Sequence, residues 1–204
     1  TTAKILALGS PSPSPATDDE PERTGLYTSG IASIAGGRQI ALFFTGPRHA
    51  GEILSAVLEK RAAGLPRPIQ MCDALSHNTA GEFDTIVANC IAHARRQFVD
   101  VAPRFPEQCR TVIETLREVY RHDAFTRDQK MSADQRLAYH QEHSAPLMRG
   151  LQWWLYEQIE QRKIEPNSTL GGAVNYMRKH WEKLTRFLEV AGAPLDNNCC
   201  ERIL

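Results

Sequence analysis

The sequence predicts an α/β fold with a long all-helical segment ahead of its last short helix. Three observations carry this. Short apolar runs bounded by turn residues crowd the chain before Cys90. Apolar residues at helical spacing take over from 94 to 194. "VAGAP" then closes the helical block and "LDNNCCERIL" (195–204) opens a new helix.

"AKILAL" (3–8) reads as a strand. Residues 10–24, "SPSPSPATDDEPERT", are too rich in Pro, Ser and acid to bury a core and predict a mobile loop. "LYTSGIASIA" and "RQIALFFTG" flank Gly36-Gly37, a hairpin pattern. "HAGEILSAVLEK" (49–60) is helical, with Ile53, Leu54, Val57 and Leu58 on one face. "RPIQMCD" and "FDTIVANC" predict two more short strands. "AHARRQFVDVA" starts the helices and Pro103 and Pro106 interrupt it. Val112, Ile113, Leu116, Val119 and Tyr120 mark the next helix. "SADQRLAYHQEH" predicts a polar one, and Leu147, Leu151, Trp154, Leu155 and Ile159 a further apolar face. Leu170, Val174, Met177, Trp181, Leu184 and Leu188 step by alternating fours and threes, which predicts one helix ended by Gly192 and Pro194. The trace divides into sheet strands and a first helix (1–93), a helical insertion (94–194) and the start of a final helix (195–204).

The bulk composition is that of a water-facing globular chain, 42% hydrophobic and 24% charged. No apolar run nears the roughly 20 residues of a membrane helix. Twenty-four cations balance twenty-four carboxylates, so overall charge gives no argument for a nucleic-acid partner. Five cysteines in no regular framework suggest reduced thiols and a cytosolic setting. No phosphate-binding Walker loop, dinucleotide fingerprint or G-x-S-x-G elbow is present.

Asp73 follows a predicted strand, where α/β folds assemble their sites. Glu201 sits in the first turn of the terminal helix. Carboxylates that converge repel one another unless a divalent cation lies between them, and hard oxygen donors suit Mg2+ or Mn2+. A pair of such ions serves phosphodiester chemistry. Asp73 is equally a cap residue by position, and a first-turn Glu is favoured by the helix dipole alone. Cys90 and His93 have the spacing of half a zinc site, but a second pair is missing. Arg95 and Arg96 suit either a phosphate backbone or a solvated helix face. Trp153, Trp154 and Trp181 lie within helical stripes and are expected in the core, whereas His140 and His143 are expected on the surface.

"MCDALSHN", "NCIAHARRQF" and "HWEKLTRFLEVAGAPLDNNCCERIL" together resemble the transposases of the insertion-sequence-66 family, in this order and along essentially the whole chain. That family is similar to the wider DDE group of transposases and retroviral-type integrases. The resemblance implies a ribonuclease-H-like core with a mixed five-stranded sheet and a large helical insertion before the last catalytic helix. It implies an Asp-Asp-Glu triad holding two Mg2+ ions, with Asp73 as the second acid and Glu201 as the third. The first acid is expected just upstream of Thr1, because Asp18 and Asp19 lie in the loop beyond the first strand. The chain is therefore expected to be a catalytic-domain fragment without activity of its own. His93, Arg95, Arg96, Asn197, Asn198 and Arg202 are the DNA-contacting or site-supporting candidates, and Asp196 a turn or cap residue. The implied function is Mg2+-dependent cleavage of transposon ends and strand transfer into target DNA, by a homo-oligomer in the bacterial cytoplasm. An inactive helical interaction module, or a ribonuclease-H-type nuclease, is the alternative.

Overall fold

The computed structural model describes residues 2–4, 26–35, 38–62, 64–75, 78–81 and 83–202. The expected mobile loop 10–24, the far end of the first strand and the Gly36-Gly37 turn lie outside the described residues. The architecture is mixed α/β and mostly helical, as two compact units.

The first unit comprises 1–67, 75–85 and 198–204. It holds β1 (Thr2–Lys4), β2 (Tyr27–Ala35), β3 (Arg38–Gly46), α1 (Ala50–Leu58) and α8 (Asn198–Glu201). The three strands form an antiparallel sheet in the order β1-β2-β3. The Ala35↔Arg38 and Tyr27↔Gly46 pairings run the whole length of the hairpin, as the alternating β-branched and aromatic residues predict. His49 and Glu52 close a capping box at the start of α1, with His49 N–H donating to the Glu52 carboxylate at 2.7 Å.

The second unit comprises 68–74 and 86–197. Its two strands, β4 (Ile69–Cys72) and β5 (Ile86–Asn89), pair in parallel from Ile69↔Ile86 to Cys72↔Asn89. The described strands thus pair as a three-stranded antiparallel sheet and a two-stranded parallel one. Helices follow: α2 (Ile91–Val101), α3 (Pro106–Asp128), α4 (Ala133–Tyr139), a π-turn (His140–Ser144), α5 (Ala145–Glu160), α6 (Thr169–Lys179), α7 (Trp181–Leu184) and a 3₁₀ turn (Arg186–Leu188). Pro106 opens α3 at its first turn, where a missing N–H costs nothing. Phe98, Leu116, Met148, Leu155, Leu170, Val174 and Met177 are fully buried in one core. Each contributes about 1.5–3 kcal/mol by burial.

Two expectations are corrected here. The single helix over 170–188 is broken at His180 and at Thr185. Thr185 bends its hydroxyl back onto the Trp181 carbonyl at 2.9 Å, and both breaking residues are weak helix formers. The apolar stepping survives because the successive pieces cover the same core. His140 is not on the surface; it is 2% exposed.

The neighbouring glycines Gly171 and Gly172 make opposite predictions. A Cβ on Gly171 would collide with the backbone oxygens of Glu165 and Pro166, the latter at 2.5 Å, whereas one on Gly172 meets open space. Gly171→Ala should cost about 1–3 kcal/mol, and Gly172→Ala should gain up to about 1 kcal/mol through helix propensity. Urea denaturation of the two variants checks both signs.

Candidate functional site

Asp73 follows the last residue of β4 directly and is half-buried in the second unit. Two neighbours record its charge. The Cys72 thiol is pushed up to about 11, first by burial and then by the Asp73 carboxylate. The Tyr176 phenol is raised above its ordinary value, first by burial and then by Asp73, while the Ala74 backbone N–H offsets part of this. Tyr176 therefore stays protonated and can donate a hydrogen bond beside Asp73. Sequence reasoning missed Tyr176. Its signal was a polar-tipped aromatic one position before Met177, off the apolar stepping of the stripe.

The "LDNN" segment is pinned to the start of α2. The Leu195 carbonyl accepts the Ile91 N–H at 2.9 Å, and Leu195 itself is buried. Cys90 is the N-cap of α2. Burial raises its thiol pKa, while the backbone N–H groups of Asn197, His93 and Ala92, which donate to its sulfur, hold it back. Its geometry is that of a buried cap linking two segments. Asp196 stands beside the buried Tyr120 phenol, whose pKa is raised first by burial and then by that carboxylate. Asn197 is buried, so its side chain belongs to the packing of this turn.

His93 and Arg95 are half-buried on α2, and Arg96 is exposed one residue on. Asn198 and Glu201 are the first and last residues of α8, in the first unit, and the Asn198 carbonyl accepts the N–H of exposed Arg202 at 3.0 Å. α8 lies on β2, with the Cys200 thiol 3.4 Å from the Gly30 carbonyl and Gln39 donating to Cys199 at 3.1 Å. Asp73, His93, Arg95, Arg96 and Asn197 thus belong to the second unit, and Asn198, Glu201 and Arg202 to the first. Among the described residues no group of three or more His, Cys, Asp or Glu gathers as a metal cage. Nor, among them, is any helix long and apolar enough to cross a membrane.

The model of the Transposase IS66 family matches residues 26–204. The chain belongs to that family of transposases. Two relatives are uncharacterized proteins of Sinorhizobium fredii (strain NBRC 101917 / NGR234). The protein y4jD is 37% identical over 118 residues, which cover 57% of this chain and 22% of the relative. The protein y4hP is 33% identical over 128 residues, covering 57% of this chain and 23% of the relative. The chain thus matches less than a quarter of the length of either relative. No solved structure gives a significant match.

Proposed function

We propose that the chain is the catalytic core of a DDE-type DNA transposase with a ribonuclease-H-like sheet, of which residues 94–194 are the helical insertion. The observation that carries this is the family match over 26–204, which spans both acids. Asp73 at a strand end and Glu201 on the terminal helix are hard oxygen donors, and one or two carboxylates plus phosphate oxygens are what Mg2+ ordinarily takes from a protein. Asp73 and Glu201 would hold Mg2+ or Mn2+, which supplies activation of water or of a 3′-hydroxyl and stabilises the departing oxygen. Tyr176, kept protonated, donates to Asp73 or to a phosphate oxygen beside it. Arg95, Arg96 and Arg202 supply guanidinium forks for the DNA backbone, and His93 a neighbouring donor. Asn197 and Asn198 hold the turn that leads into α8. DNA ends and target DNA are the substrates, a homo-oligomer is the working form, and the bacterial cytoplasm is the compartment.

The test uses the protein translated from the whole reading frame and duplexes bearing the ends of its element. End cleavage and joining should require Mg2+ or Mn2+ and vanish in chelator, returning when the metal is restored. Cleavage confined to RNA–DNA hybrids would make the protein a ribonuclease-H-type nuclease. DNA retained but uncut with either metal would leave only an interaction module.

A further inference from the structure

Trp153 does not join the core with Trp154 and Trp181. It is 64% exposed, and Tyr156, one turn further along α5, is 55% exposed. Residues three apart on a helix are surface neighbours, so the two rings form one aromatic strip. The Arg178 guanidinium from α6 lies over the Tyr156 ring, 5.2 Å from its centre. Arg149 sits one turn before Trp153 on the same side and is exposed. Arg149 and Gln152 also line a groove of about 310 Å³ between α5 and the α7–3₁₀ segment. The carboxylate on its far wall, Glu189, is held by Arg186 at 2.7 Å.

The charge of the segment that carries this strip departs from the neutrality of the chain. Residues 145–180 carry five cations and three carboxylates. Glu157 is paired with Lys163 at 3.6 Å and Glu160 with Arg178 at 3.2 Å. Arg149, Arg162 and Lys179 then stand against Glu165 alone. Two large aromatic rings exposed side by side on one helix form a patch, which is more informative than a single exposed apolar residue.

We propose that the Trp153–Tyr156 strip binds single-stranded DNA, the bases stacking on the two rings while Arg149 meets a phosphate. This rests on DNA being the substrate. Stacking platforms flanked by cations are the ordinary chemistry of single-strand binding, because every base offers a π-face. A face built for another protein would need a larger apolar core than two rings, with fewer charges beside it.

Fluorescence anisotropy with a labelled single strand and with the corresponding duplex tests this. It is read in chelator, so that no metal-dependent step runs and a failure of catalysis leaves the readout intact. Trp153→Ala should weaken single-strand binding roughly 5- to 100-fold, the cost of one stacking platform, and duplex binding far less. Trp153→Phe should keep most of the affinity. Arg149→Gln should lower the salt dependence by about one phosphate contact. Because Trp153 is solvated, circular dichroism should show both tryptophan variants folded. The proposal falls if folded Trp153→Ala binds the single strand as the parent does, or if the parent does not prefer the single strand. It also falls if the variant's one change is a smaller sedimentation coefficient, which would make the strip a contact between copies.

Discussion

Asp73→Asn is expected to reduce transposition of a marked element in cells by roughly a hundred- to a thousandfold, at unchanged protein level. The substitution keeps the shape of the side chain and removes its charge, so any loss is electrostatic. A residue that merely ended β4 would tolerate it, because an amide caps a turn as well as a carboxylate does. Glu201→Gln is expected to give a loss of the same order. The double variant should be no worse than either single one, since ligands that act together on one centre are not additive. Asp84→Asn is the control: this carboxylate is exposed and pairs with the exposed Arg67 at 2.6 Å, and activity should be retained. Losses that multiply in the double variant would mean that Asp73 and Glu201 act independently, and the shared-metal reading would fail.

What the sequence disclosed followed from how each signal arises. The strand ending at Cys72 was legible because "RPIQMC" is a short apolar run between a proline and an acid. The run of helices after Cys90 was legible because burying one face of a helix writes a repeating pattern. The breaks at His180 and Thr185 were not, because the apolar stepping runs through them and only the Thr185 hydroxyl turning back on Trp181 marks one. Trp153 and Trp154 are adjacent and chemically alike, so no periodicity argument sorted them. A rotation of about 100° on the helix put one against the core and the other in water. The pairing of the strands was hidden for another reason. Pairing partners are set by long-range register, which local composition does not encode. That Asp73 follows a strand and that Glu201 lies on a short helix was legible. Tyr176 beside Asp73 was not, since it comes from a helix far along the chain.

His140 shows how a misplaced residue reveals a second large effect: Asp123→Ala should destabilise the fold by about 3 kcal/mol. The Asp123 carboxylate, 8% exposed, is reached by Arg136 at 2.6 Å, Arg127 at 3.3 Å and His140 Nε2 at 3.5 Å. His140 Nδ1 lies 2.9 Å from the Ser144 hydroxyl, which lies 3.0 Å from His122 Nδ1. Ser144 has one proton to give. With His140 Nε2–H turned to Asp123, that proton goes to His140 Nδ1, and His122 Nδ1–H donates to Ser144. Asp123 stands at the end of this chain as the close charged neighbour of His140 Nε2, without a hydrogen bond between them. The π-turn makes room for it by widening the helix at His140–Ser144. Removing Asp123 leaves a buried imidazole without its charged neighbour and a half-buried guanidinium without its acceptor. Broken buried pairs cost about 3–5 kcal/mol, and the lower figure applies because Arg136 can turn to water. Arg127→Ala should cost under about 1 kcal/mol, since that side chain is largely exposed. The pH profile gives a second readout. Burial alone would raise the Asp123 carboxyl, but the close His140 ring, the hydrogen bond from Arg136 and the guanidinium charges outweigh it and hold the group below its ordinary value. A depressed folded pKa means that the unfolded chain takes up the proton first. The stabilisation is therefore present above about pH 4 and lost as pH falls through the folded value. Denaturant midpoints should drop steeply below about pH 4 in the parent and more shallowly in Asp123→Asn. His122 acts at higher pH with the same sign. Its pKa is lowered first by burial and then by His143 and His140, so its stabilisation is lost as pH falls below about 6.5. Parallel profiles for the parent and Asp123→Asn below pH 4 would show that the ion pairs at Asp123 contribute nothing to the fold.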